Sequence, residues 1–176
     1  MKRSKQSLSH YNLTTGDMGQ LIPLTWYEAL PGDTIQQRTN LLIRVSPLNT
    51  PVMHPVRVRL HHFFVPNRII WDDWEDFITG GEAGTSTPTH PYFNIGSTSQ
   101  GELWNYFGLP VGTYGATLAA NALPFRAYAT IFNEFYRDQQ LVTALTVDTT
   151  SGQDTTTNTV VQDRDWETKI IPKLTL

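Results

Sequence analysis

The 176-residue sequence contains no cysteine, which excludes a disulfide framework, a thiolate metal site and a cysteine nucleophile together. Charge is scarce as well: Asp, Glu, Lys and Arg make up 16% of the chain, while aromatics reach 11%. A chain with that balance has apolar surface to bury and is not disordered throughout. No stretch approaches the roughly 18 consecutive apolar residues that a membrane-spanning helix requires, so no membrane partner is expected. The opening MKRSKQSLSHYN has a basic start with no apolar run behind it, which is not the pattern of a secretory signal.

The short patterns of common catalytic sites are missing too. No serine occupies a G-x-S-x-G elbow. Gly80, Gly81 and Gly84 lack the Lys-Ser/Thr of a phosphate-binding loop. His61 and His62 are adjacent, and on a strand adjacent side chains leave opposite faces, so the pair cannot share one ion. Asp72, Asp73, Glu75 and Asp76 bring a carboxylate pair within geometric reach. Acids early in a helix, however, complement its dipole, and no companion motif directs these toward hydrolysis. The expectation is a protein that is not an enzyme and has no cofactor or metal.

What is present is patterning. Residues 1–70 carry eight Lys/Arg against three Asp/Glu, whereas residues 71–176 carry five against thirteen. The basic half suits phosphate, and the acidic half suits water or another subunit. Residues 1–20 read as a turn-rich arm, and Ile22–Glu28, interrupted by Pro23, as an edge strand. Thr34–Ser46 gives the clearest strand, with Ile35, Gln37, Thr39, Leu41, Ile43 and Val45 on one face. Val56–Val65 alternates next, placing Arg57 and Arg59 on a common face before Pro66 ends the run.

Asn67–Thr79 changes period. Ile70, Trp71, Trp74, Phe77 and Ile78 recur at three and four, and Gly80-Gly81 stops a short amphipathic helix. Residues 80–100 read as loop. Ser99 and Glu102 stand at capping-box spacing before ELWNYF, a brief helix closed by Gly108 and Pro110. The run from 111 to 122 is small and rich in Gly, Ala and Thr. Pro124 suits a first helical turn, and Phe125, Tyr128, Ile131, Phe132, Phe135 and Tyr136 form an aromatic stripe up to Arg137. From Leu141 to Val161 the threonine-rich chain reads as a hairpin with a Ser-Gly turn or as a loop.

Three blocks carry a resemblance: SHYNLTTGDMGQLIPLTWYEALPGDTI, LLIRVSPLNTPVMHPVRVRLHHFFVPNRIIWDDWEDFITGG and LPFRAYATIFNEFYRDQQL. Over about residues 7–141 they resemble, in order, the N-terminal part of the major capsid protein of microviruses, most closely the gokushovirus branch. The likeness fades after Leu145 and returns in part at Asp165-Trp166-Glu167, and IIPKLTL then departs from it. The expectation is an N-terminal fragment or an altered C-terminus.

The resemblance implies a mainly β fold: part of a viral jelly roll (an antiparallel β-sandwich) with helix-bearing loop insertions. Too few strands are legible here to close eight. It implies an arm over 1–20 and a partial jelly-roll domain over 21–176, loop-rich at 80–122 and 141–165. The implied function is structural, in a T=1 icosahedral shell around a single-stranded DNA genome. Implied partners are further copies in fivefold groups, the genome, a scaffolding protein and a small DNA-packaging protein. The implied place is the virion, assembled in the bacterial host cytoplasm.

Candidate DNA contacts are Lys2, Arg3 and Lys5 in the arm and Arg57 and Arg59 beyond it, since phosphate contact needs only charge and reach. Candidate subunit contacts are Trp71, Trp74, Phe77, Phe125, Tyr128, Phe132 and Tyr136, because aromatics are enriched in interface cores. The same stripe also suits a helix packed on its own core. A different class of function, a β-rich carbohydrate-binding module, would require Trp26, Trp71, Trp74 and Trp104 to line one concave face.

Overall fold

A computed structural model describes residues 4–16, 21–47, 49–50, 53, 55–99 and 101–157. Two compact units emerge: residues 27–64 form one, and residues 1–26 with 65–176 form the other.

In the larger unit the only sheet among the described residues has two antiparallel strands, β1 (Tyr92–Thr98) and β2 (Gly112–Asn121). Tyr92 pairs with Asn121 and Ile95 with Leu118. The register then slips, so that Ser97 faces Thr113 and residues 114–117 stand opposite Gly96 alone. Such a bulge bends the strand that carries the extra residues. Phe93 and Ile95 turn inward while Tyr92 and Asn94 stay half-buried, the period of two that a half-buried strand requires.

Phe93 is the centre of the core. It meets Trp104 edge-on at 5.2 Å and Phe125 at 5.5 Å and 90°, and Trp104 lies 4.5 Å from Phe125. Each such pair adds about 0.5–1.5 kcal/mol beyond its area. Trp104 comes from α3 (Leu103–Tyr106) and Phe125 from α4 (Leu123–Ile131). The Glu102 carboxylate accepts the Ser99 backbone N–H at 2.8 Å, half of the expected capping box, but Glu102 itself is the N-cap of α3, so the bond lies ahead of the helix. Pro124 sits in the first turn of α4, where its missing N–H has no helical partner to lose. Residues Phe132–Tyr136 then widen into a π turn.

A second cluster joins Ile70, Trp71 and Leu123, with Val65 and Trp74 against it. The predicted single helix over Asn67–Thr79 is two pieces, α1 (Asn67–Ile70) and α2 (Trp74–Thr79). Trp71 breaks the helix by turning extended, at φ −151° and ψ 114°, which buries its indole completely. Gly80 does stop α2: it adopts the left-handed conformation at φ 82° and donates to Asp76 O at 2.8 Å. A Cβ there would also approach the Gly84 backbone at 3.1 Å.

The expected strands fall elsewhere than their patterns suggest. Ile22–Glu28, Thr34–Ser46 and Val56–Val65 form no ladder among the described residues, because an alternating segment becomes a strand only where a neighbour accepts its backbone bonds. Both strands that do pair lie in the stretch 80–122 read as loop. The threonine-rich stretch forms no hairpin up to Thr157. It turns at Ser151-Gly152 and makes one parallel bridge, Gln153 to Tyr92. Its remainder, 158–165, lies outside the described residues. What stands is a small antiparallel sheet with few helices, compatible with a mainly β expectation.

Candidate functional site

Between Asp33 and Asp72 the chain carries five arginines and no acid. Residues 34–47 and 55–64 of this run belong to the smaller unit and are exposed throughout. Apart from the turn closed by Asp33 N–H on Leu30 O at 3.1 Å, no backbone bond ties this unit's described residues to one another. Leu42, Ile43, Val45, Val56, Val58 and Phe64 all stand at the surface. Arg57 and Arg59 are exposed and make no ion pair with a described residue. His61 and His62 are exposed, and the His61 ring lies 6.1 Å from Phe63. Among the described residues no group of His, Cys, Asp or Glu is arranged to hold a metal.

The larger unit is locked by a charge that sequence reasoning missed. Arg126 on α4 is fully buried and donates from Nε to Asp154 Oδ2 at 2.9 Å; Asp154 is fully buried as well. Two further donors reach Ile70 O at 3.1 Å and Thr150 O at 3.0 Å, and Asp148 lies 4.0 Å away. The second oxygen of Asp154 accepts the Thr157 N–H at 2.9 Å. A buried pair offsets its desolvation only when such extra bonds satisfy it. The signal was in the sequence: Arg126 lies three or four positions from Ala122 and Ala129, inside the apolar stripe, where a charge requires a buried partner.

The acid cluster has a related task. Asp72 Oδ2 accepts the Thr149 hydroxyl at 2.7 Å, and Asp73 Oδ2 accepts that of Ser151 at 2.5 Å. Ser151 Oγ in turn accepts the Trp71 indole N–H at 2.8 Å. Only Glu75 and Asp76 occupy the first turn of a helix, where they complement its dipole. Asp72 and Asp73 sit at the helix break and tie down residues 148–157. The Asp72 and Asp73 carboxylates thus accept hydroxyl donors of Thr149 and Ser151, which fastens the helix break to that segment.

The candidate subunit contacts divide by burial. Trp71, Phe125, Tyr128 and Phe132 are buried in the chain's own core, Trp74 and Tyr136 are half-buried, and Phe77 remains 45% exposed. Burial pushes the Tyr128 phenol well above its ordinary 10.0, and its hydroxyl donates to Leu21 O at 2.7 Å. The carbohydrate reading finds no support, because Trp71 and Trp104, at 0% and 3% exposure, cannot reach a ligand. Of the candidate DNA contacts, Lys5 is exposed, while Lys2 and Arg3 lie outside the described residues. The described arm is pinned at several points: Asn12 donates to Leu24 O at 2.5 Å, and the Tyr106 hydroxyl to Thr15 O at 3.0 Å.

Comparison with known proteins now adds identity to geometry. Residues 1–172 match the family described as Capsid protein (F protein). The capsid protein VP1 of Chlamydia phage 1 is 42% identical over 157 residues, covering 84% of this chain and 26% of that protein. The VP1 of Bdellovibrio phage phiMH2K is 35% identical over 86% of the chain and 29% of its own length. That of Spiroplasma virus 4 is 32% identical over 92% and 30%. The chain thus spans 26% to 30% of the length of these relatives.

Proposed function

The chain belongs to the capsid protein (F protein) family of microviruses, a structural family and not an enzymatic one, and from that premise we propose that it builds part of an icosahedral shell. The shell is of T=1 type, holds a single-stranded DNA genome and groups its copies around fivefold axes. Scaffolding and small DNA-packaging proteins assist assembly in the bacterial host cytoplasm, and the product resides in the virion. The reading assigns an arm over 1–20 and a partial jelly roll over 21–176, with closing strands to be sought in the part of the relatives' sequence that this chain does not cover.

One observation carries it: the smaller unit, inside the matched region, displays alternating apolar residues at its surface, and beyond the turn at Leu30–Asp33 no backbone bond joins its described residues to one another. Unpaired alternating segments are templates for strand addition, and exposed apolar patches mark association surfaces. Closed symmetric assembly is then a matter of repeated complementary contacts.

The test is to graft residues 1–157 into the full-length Chlamydia phage 1 protein and to follow sedimentation and electron microscopy of the expressed product. Closed particles of uniform size are expected. Well-folded subunits that never sediment as particles would overturn the assignment.

A further inference from the structure

We infer that the N-terminal arm is a releasable strap: two phenol hydroxyls hold its described stretches 10–16 and 21–26 on the larger unit, and their release uncovers the apolar seat of Leu21. The inference does not depend on the shell reading. The Tyr106 hydroxyl, at the end of α3, donates to Thr15 O at 3.0 Å. The Tyr128 hydroxyl, on α4, donates to Leu21 O at 2.7 Å. Both acceptors are main-chain carbonyls. Leu21 itself packs against the core cluster that contains Phe125 and Tyr128.

The fastening is light, and the strap is one piece. No described arm residue shares a backbone–backbone bond with another described residue. The two stretches are tied to each other by side chains instead: His10 Nε2 lies 2.9 Å from Thr25 Oγ1, and Asn12 donates to Leu24 O at 2.5 Å. Trp26 does not seal the strap's end. It is 47% exposed and, with Phe107, Leu109 and Phe125, lines an unfilled cleft of about 80 Å³, where ring atoms lack dispersion partners. The body keeps its own core, because Phe93, Trp104 and Phe125 contact one another directly. Segments with so few contacts open locally, well below the cost of global unfolding. One neutral hydroxyl bond shifts such an equilibrium about two- to thirteenfold, and two bonds on one piece multiply to roughly five- to 160-fold.

The chain has no cysteine, so Tyr11→Cys, at a position 88% exposed, puts a single nitroxide on the strap of the 176-residue chain. Its electron paramagnetic resonance spectrum separates mobile from immobile label. The mobile-to-immobile ratio should rise about two- to thirteenfold in Tyr106→Phe and in Tyr128→Phe. The double variant should show the product of the two, and an apolar dye should brighten as the Leu21 seat opens. Both substitutions keep the rings, so the near-ultraviolet circular dichroism of the buried aromatics should match the parent. Tyr114→Phe removes a hydroxyl bonded to Pro110 O and should leave the label ratio unchanged. A label already mobile in the parent, or one unchanged in the double variant, overturns the strap. Loss of the near-ultraviolet signal in the double variant also overturns it, since the hydroxyls would then hold the core and not a removable segment. A double variant no more mobile than the larger single one shows two stretches moving separately, which overturns the single strap.

Discussion

Leu42 and Phe93 are both apolar residues among apolar neighbours, yet the first is 88% exposed and the second fully buried. The difference lies in what surrounds them. Around Phe93, α3 and α4 deliver Trp104 and Phe125, and the chain from 148 to 157 is fastened by Arg126, Asp72 and Asp73. Around Leu42 the described backbone finds no partner at all. Within one chain, order follows the availability of hydrogen-bonding and packing partners, and hydrophobicity alone does not create it.

The largest expected contrast is in amide exchange. Protection in β1 and β2 should approach the global unfolding free energy, while residues 34–46 and 56–64 exchange at nearly intrinsic rates. Comparable protection in both regions, read by mass spectrometry on the monomeric chain, would erase the distinction. Next comes Arg126→Met, which strands Asp154 in the core and should cost about 3–5 kcal/mol in urea unfolding. Arg126→Met with Asp154→Leu should recover much of that loss, whereas Arg44→Met in the smaller unit should stay within about 0.5 kcal/mol. Phe93→Ala should cost about 3–5 kcal/mol against roughly nothing for Leu42→Ala. An equal loss at both positions would mean that the exposed segment carries fold stability. The smallest effect tests the junction: Trp71→Phe removes the donor to Ser151 and should cost about 1 kcal/mol. Its signature is faster exchange confined to residues 148–157.

Parts of this architecture could be read from residues alone. Ser99 and Glu102 announced α3, Pro124 marked the start of α4, and Gly80 marked the end of α2. Each is a local device whose partner lies within four positions. The strand β2 could not be read, because seven of the ten residues in GTYGATLAAN are Gly, Ala, Leu or Asn, without strong strand preference, and its pairing depends on Phe93 and Ile95 anchoring the opposite strand. The break at Trp71 was equally hidden, since Ser151, which accepts the Trp71 indole N–H, and Thr149, which bonds Asp72, lie some eighty positions away. Arg126 gave a signal without an address: the stripe demanded a buried acid, and nothing distinguished Asp154 from its neighbours. The family resemblance was legible because it rests on ordered blocks. It reported kinship, and it left open which segments pair within these 176 residues.

The π turn at Phe132–Tyr136 holds one residue more than an α-turn would. Within it Asn133 faces inward, donating to Leu145 O and accepting from Leu145 N, both at 2.8 Å, while Phe135 is left outside. Deleting a single residue here would rewind the turn to α and rotate everything after it by roughly 100°. Asn133 would lose its grip on Leu145, and the chain entering residues 148–157 would arrive out of phase with Arg126. This short span is therefore a frame-setting element, intolerant of length change even where its individual side chains tolerate substitution.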